Sequence, residues 1–523
     1  MSFGRPGGNK DLRSLGGNEM FSYMCHKQGN LNRMCGLTLL TRRALDEGLF
    51  ICALQEFQHM FPQLTSRIIS RNNIPHFHPM ECPILPLDSD FECRDMLHNQ
   101  FDTERGPLWR VQLITEQTMD KAPIDWGPEI RAILEDTESS SSVRWEHFLR
   151  YFQGKVNQAE IENFDDEEVG FHSFILMTFH PSITDVWGAF HFLKQFMIIL
   201  DIILEKDSSS STLDFEQGNL PNSIESLVPS NDSSFHITDL IPITKKVITG
   251  NFASPRRTPL EKILKPIFES KDIPKTEVLR GWLNERETSE IISMMEEDDA
   301  SIHGVLLTAG LIALSRVIHE DTSPDSIPKE DTILRATNEA NLRQYCTTET
   351  RYGCLTTFYD DEYVIPPVSS RNEFWRLAHE MTVKHNAAKG GRQPLKMLRV
   401  YNKMFSTGNG EENFKGIDQT VQSDVRIAAY GDLGNLFRKA SNAPIDSWNR
   451  PLSKTKRNIR LEDIFHIICA QNMGTPFTHS IHILHGRLNY FLQYYTTYVE
   501  ERIAFLLRDE TLNILRMAAD RDQ

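Results

Sequence analysis

The chain has 523 residues, eight cysteines and a formal net charge of −16. That length exceeds one ordinary core and fits two lobes with insertions. The acidic balance excludes nucleic acid as the main partner, because neutralising phosphates needs clustered, excess Lys and Arg.

The cysteines are scattered and form no Cys-x-x-Cys pair. They read as reduced thiols of a cytoplasmic protein, with no metal site. Residues 1–10 are Gly-rich and have no apolar signal core. Leu37–Leu40 predicts a strand. Ala44–Met60 predicts a helix, with Leu45, Leu49, Cys52, Ala53, Phe57 and Met60 at core-facing spacing. Pro62 ends it, and Gln63–Ile69 predicts the next strand. Leu108–Ile114 alternates as a strand. Residues 116–168 read as an acidic insertion, with Glu135-Asp-Thr-Glu-Ser-Ser-Ser-Ser as a solvated loop.

Phe174–Phe179 is an apolar strand that ends in His180-Pro181-Ser-Ile-Thr-Asp185-Val186. An amphipathic helix follows over Ala189–Leu204. This apolar stretch, and the one near Val305–Leu314, fall short of the ~20 residues that cross a membrane. Residues 205–260 are polar, rich in Ser, Asn and Pro, and read as a connector. Arg256-Arg257 within it reads as solvated linker. The second half opens near Glu277–Leu283. A helix follows, with Thr288 as candidate N-cap and Glu290 in its first turn. Ile302–Leu314 predicts a buried helix, and Thr478–Tyr494 a hairpin around a polar-Gly turn. Val499–Leu507 starts a terminal helix. His303 reads first as a helix-terminal or core residue and second as a neighbour of a ligand channel, and His172 and His191 read as surface or lobe-packing residues. The i, i+3, i+6 spacing of His479, His482 and His485 does not fit one strand face, so no metal site is expected there.

The stretch His180-Pro-Ser-Ile-Thr-Asp185-Val resembles the His-His-x-x-x-Asp-Gly loop of the CoA-dependent acyltransferase superfamily. That superfamily includes chloramphenicol acetyltransferase, condensation domains, alcohol acetyltransferases and polyketide-associated acyltransferases. Arg13-Ser-Leu-Gly-Gly-Asn-Glu19, Met60-Phe-Pro-Gln-Leu-Thr-Ser-Arg67, Pro107-Leu-Trp-Arg-Val, Ile302–Leu314 and Leu488–Tyr494 resemble further family segments, in the same order. The resemblance implies an α/β fold of two chloramphenicol-acetyltransferase-like lobes with mixed sheets and a tunnel between them. The lobes would be 1–204 and 271–523, joined by the connector 205–270.

In the family the second His is the general base, which suits a group whose pKa lies near the operating pH. Pro181 stands at that position and has nothing to titrate. His180 would be the base only if the loop shifted by one residue; otherwise it points away, as neighbours at a strand end do. Asp185 would hold the loop by pairing with Arg343 of Ala340-Asn-Leu-Arg343, or would cap the following helix, or both. Val186 replaces the family Gly and would narrow the substrate space. Tyr352-Gly353-Cys354 is a loose stand-in for a second plant-type signature.

Two readings follow. The first is transfer of an acyl group from acyl-CoA, as co-substrate, to a small-molecule or lipid alcohol or amine, with no tightly bound cofactor. The second is a non-catalytic member that binds a CoA-like or lipid ligand, or a protein partner.

Overall fold

The computed structural model describes residues 13–87, 96–121, 127–136, 138–153, 170–205, 217–230, 236, 259–265, 275–319, 327–405, 414, 423–442, 458–469 and 475–521. The Gly-rich start, Cys93 and Arg256-Arg257 lie outside them.

The strands are β1 Arg13–Ser14, β2 Asn32–Thr41, β3 Ser66–Arg71, β4 Ile74–Pro79, β5 Trp109–Ile114, β6 Phe171–Phe179, β7 Thr276–Leu283, β8 Thr332–Asn341, β9 Thr356–Ile365, β10 Val425–Asp432, β11 Ile459–Cys469, β12 Phe477–Leu484 and β13 Arg487–Tyr495. They form three sheets. One is β1-β4-β3. One is β11-β2-β6-β5. One is β7-β13-β12-β10-β8-β9. Between the named strands of the described residues, parallel pairing occurs in the six-stranded sheet, where β10 lies parallel to both β8 and β12, and an isolated parallel bridge joins Leu87 to Val111 of β5. The four-stranded sheet is antiparallel throughout.

β6 is buried along nearly its whole length because both faces of its sheet are covered. On one face lie helices α1 Gly17–Gly29, α2 Glu47–Met60 and, beyond the signature loop, Val186–Glu205. α2 starts at an Asp46 cap, whose Oδ1 accepts from the Leu49 amide at 2.9 Å. Its successor differs from expectation. Pro62 opens a 3₁₀ turn over Pro62–Thr65, so the strand begins only at Ser66.

The acidic insertion covers the other face. It folds into helices Pro128–Glu135 and Ser141–Gln153. Trp145, Phe148 and Phe152 pack on Phe174 of β6 and Phe465 of β11. Burying each such ring contributes on the order of 2–3 kcal/mol, which a solvated loop would forgo. The serine run is not a free loop. It leads into the second helix, with Ser140 Oγ accepting from the Val143 amide at 3.4 Å.

The two halves of the chain are not separate in space. β11, from the C-terminal half, runs along β2 in the N-terminal sheet from Ile459↔Thr41 to Cys469↔Asn32. Gly36 makes this possible, because any Cβ there would fall 1.9 Å from the Phe465 ring. The connector is also partly docked. Its single turn Ile224–Leu227 places Glu225 Oε1 2.8 Å from the Asn18 amide at the start of α1.

In the C-terminal lobe, helix Glu285–Glu297 is capped by Asn284, not Thr288. Glu287 decides this by completing a capping box with Asn284, with both bonds at 2.9 Å. Thr288 lies inside the helix and accepts from the Leu488 amide. Helix Ile302–Ile318 is almost wholly buried against the six-stranded sheet. β12 and β13 form the hairpin, turning at His485 and Gly486 with φ of 50° and 70°. Both are left-handed, as a tight hairpin turn requires.

Helix Val186–Glu205 has 20 residues and is long and apolar enough to cross a membrane. Its observed length exceeds the sequence expectation. Yet 61% of its apolar window is buried inside the lobe, as befits a core helix.

Candidate active site between the lobes

β6 delivers His180 to the edge of its sheet, where its amide donates to the Leu108 carbonyl at 2.9 Å. The loop closes on itself through the Ile183 amide and the His180 carbonyl, and the Ser182 hydroxyl donates to the Glu19 carbonyl of α1. Asp185 then opens the helix. Its Oδ1 accepts from the Gly188 amide at 2.7 Å, a helix N-cap.

The same carboxylate is gripped by the other lobe. Arg343 donates from Nη1 to Oδ2 at 2.8 Å and from Nη2 to Oδ1 at 2.9 Å. The Leu355 amide donates to Oδ2 at 2.8 Å, and the Asp185 amide donates to the Gly353 carbonyl. So Asp185, wholly buried, both caps its helix and ties the lobes together. Such a bidentate, charge-assisted pair fixes orientation as well as distance. Tyr352-Gly353-Cys354 therefore touches the signature loop after all, through a backbone that needs glycine at φ 116°.

His180 faces the N-terminal lobe. Its ring lies 4.4 Å from that of His26, 5.9 Å from Phe101 and 6.1 Å from Tyr23. Nδ1 accepts from the Ser182 amide at 3.1 Å, so Nε2 carries the hydrogen, and that atom is buried without a partner. Burial, then His26 and Arg110, hold its pKa well below the ordinary value. The imidazole is neutral, and its lone pair is already used. Pro181 is buried beside it and Val186 packs in the N-terminal core. Val186 is not among the residues that wall the inter-lobe cavity, whereas its neighbour Trp187 is.

That cavity measures about 330 Å³ and is walled by Trp187, His303, Glu339, Asn341, His385, Lys389 and Tyr430, among others. It opens at the carboxyl ends of the parallel strands β8 and β10, the usual place for a ligand in such sheets. His303, the second residue of its helix, lies on the wall. Its Nε2 is 2.9 Å from Asn338 Oδ1. An amide oxygen can only accept, so Nε2 is the protonated nitrogen and Nδ1 keeps its lone pair. Burial lowers the His303 pKa to about 4. The His385 ring stacks on it at 3.8 Å, and the Tyr359 hydroxyl meets His385 Nδ1 at 2.5 Å. The sequence offered His303 first as a helix-terminal or core residue and second as a neighbour of the tunnel; it is all of these at once, at a helix start, buried and on the wall, with neighbours from β8 and Arg371–Gly390.

The three late histidines separate. His479 Nδ1 meets the Tyr490 hydroxyl at 2.9 Å, His482 stacks on Phe491, and His485 Nε2 reaches the Leu461 carbonyl. Among the described residues no group of His, Cys, Asp or Glu could hold a metal ion, and the seven described cysteines are unbridged. His191 packs near Tyr352 of the other lobe.

No family profile matches the sequence, and no curated protein matches it. Solved structures do. Polyketide synthase associated protein 5 from Mycobacterium tuberculosis aligns over 98% of this chain and 100% of its own, with TM-score 0.58 and 12% identity. TRI3 trichothecene 15-O-acetyltransferase from Fusarium sporotrichioides aligns over 97% and 95%, with TM-score 0.61 and 12% identity. The epimerization domain of tyrocidine synthetase B aligns over 99% and 98%, with TM-score 0.57 and 12% identity. Over its whole length, this chain therefore has the two-lobed α/β fold that an O-acetyltransferase and peptide-synthetase domains share.

Proposed function

We propose that this chain transfers an acyl group from an acyl-CoA thioester to an alcohol or amine acceptor in the inter-lobe cavity, with the proton acceptor moved off the signature loop. The observation that carries this reading is the Asp185 lock. Arg343, Leu355 and Gly353 keep the signature loop anchored beside a cavity, in a fold shared with an acetyltransferase. His303 is the base this reading favours. It stands on the cavity wall with its tautomer set by Asn338 and its Nδ1 lone pair unused. His180 is disfavoured, since Nδ1 already accepts from Ser182.

In the proposed step Nδ1 takes the acceptor's proton as its oxygen or nitrogen attacks the thioester carbonyl. The C–S bond breaks and the thiolate leaves with that proton. The low basicity of His303 keeps it unprotonated at neutral pH but limits its pull. Pro181 favours a second reading, in which the cavity binds an acyl thioester without turnover.

Release of free thiol from acetyl-CoA, with a panel of alcohols and amines, tests both. Under the first reading His303→Ala slows transfer by ~10²–10⁴-fold while His180→Ala leaves it nearly intact. Under the second, wild type binds acetyl-CoA without releasing thiol, and Pro181→His gains transfer. A protein that neither binds nor turns over acetyl-CoA would end both.

A further inference from the structure

Two arginines in the heart of the lobe interface have no side-chain hydrogen bond or ion pair among the described residues. Arg33 is 2% exposed and Arg426 8% exposed. Their bonds within the described residues are those of the backbone ladders, opposite Ile468 and Phe179 for Arg33 and opposite Thr478 and Thr337 for Arg426. Arg426 only lies over the Phe358 ring, at 4.7 Å. Their placement follows from strand alternation. Arg33 shares a face of β2 with Cys35 and Leu37, and Arg426 shares a face of β10 with Ala428 and Tyr430. All four of those neighbours belong to one core cluster, so the two cations project into the same region from opposite lobes. Arg33 also pairs in register with Phe179, next to His180.

Glu339 lies in electrostatic reach of both arginines. It follows Asn338, which pairs with Ile427 of β10, and it stands on the cavity wall with Ala428 and Tyr430. Both its oxygens are buried without a hydrogen bond. One carboxylate cannot neutralise two guanidiniums, and burial pushes this carboxyl toward its neutral form. The interface thus holds excess positive charge that is largely buried, with Arg33 Nε and Nη1 and Arg426 Nε wholly so and without a hydrogen bond. Buried charges are ordinarily paired, so an unpaired pair of cations marks a place that a ligand's anion completes.

We propose that Arg33 and Arg426 form an anion site for the ligand of the inter-lobe cavity, and that the acceptor molecule carries a carboxylate. The guanidinium fork matches a planar carboxylate, and Trp187, Ala428 and Tyr430 of the cavity wall offer contacts to an apolar body. This rests on the proposed function only for where the ligand sits. Binding is read without turnover, so loss of one reading is distinguishable from loss of the other.

The test is calorimetric titration of the full chain with octanoate, octanamide, inorganic phosphate and CoA, followed by thermal unfolding. Octanoate should bind and octanamide should not. Arg33→Met and Arg426→Met should each weaken octanoate at least about tenfold. Arg33→Met should unfold no lower than wild type, since it removes an uncompensated charge. Glu339→Gln should tighten octanoate, because a competing carboxylate is gone. Binding of phosphate or CoA alone, lost in Arg33→Met, would keep the anion site and assign the anion to the CoA phosphates in place of the acceptor. Equal binding of octanoate and octanamide, octanoate affinity unchanged in Arg33→Met, or no binding of any of the four, would overturn it. So would Glu339→Gln and Arg33→Met destabilising the fold alike, as members of a closed ion cluster must.

Discussion

The lobe interface treats arginine in two ways. At the signature loop, Arg343 is bound bidentately by Asp185. Farther along, Arg280 of β7 donates to Asp463 of β11 and to Asn489 Oδ1, each at 2.7 Å, with Arg280 and Asp463 side chains both 1% exposed. It also donates to the Phe152 carbonyl, drawing in the acidic insertion. At the centre, Arg33 and Arg426 stand without any such partner. The paired arginines are mechanical, since they fix how the lobes meet. The unpaired ones contribute nothing of that kind, and their charge is left for something the chain does not itself supply. Structure and site are thus divided between side chains of the same type, and partner satisfaction separates them.

The largest effect that could break this comparison lies in the paired set. Asp185→Ala and Asp463→Ala each leave a buried guanidinium uncompensated, at a cost of ~3–5 kcal/mol. Denaturant unfolding should show both losses. Stability unchanged in either variant would mean that its arginine is no more fixed than Arg33.

A smaller effect tests whether β11 couples the lobes. Gly36→Val drives a side chain into the Phe465 ring and should cost about 1–3 kcal/mol by overpacking. A variant as stable as wild type would show that β2 and β11 do not lie as closely as described.

The most gradual effect, small over any one pH unit, is a dependence on pH. Burial lowers the pKa of His303 to about 4 and of His479 and His482 to about 3, and holds His180 and His466 well below the ordinary value. These rings stay neutral when folded but protonate near pH 6.5 when unfolded. The unfolded state therefore binds more protons below that pH. Stability should fall as pH drops from about 7, by ~1.4 kcal/mol per pH unit for each ring, until its folded pKa is reached. His482→Phe keeps a ring against Phe491 and should flatten the curve by one share. An identical curve for that variant would place its protonation elsewhere.

Much of the fold was legible in local pattern. The hairpin at His485-Gly486, the buried run of β6 and the helix from Ile302 each carry their signal within a few residues, because turn chemistry and apolar periodicity are short-range. Where competing local signals met, the reading slipped. Thr288 is a good cap residue, yet Asn284 won because Glu287 could reach back to it. The serine run looked solvated, and Trp145, Phe148 and Phe152 just beyond it were needed to cover the sheet. The motif around Asp185 was visible as residues in order. That His180 turns away from the cavity was the expected alternative at a strand end, whereas the grip of Gly353 and Leu355 on Asp185 was not visible.

By itself the sequence determined the elements, their order and the replacement of the expected base by Pro181, since these depend on residue type and near neighbours. The Asp185–Arg343 pair, 158 positions apart in the chain, was expected from resemblance and is formed, but tertiary structure alone decided that β11 crosses into the other lobe and that Arg33 and Arg426 come together with only Glu339 in electrostatic reach of both. Partnership of a buried charge depends on which distant strands become neighbours, and no local pattern encodes that.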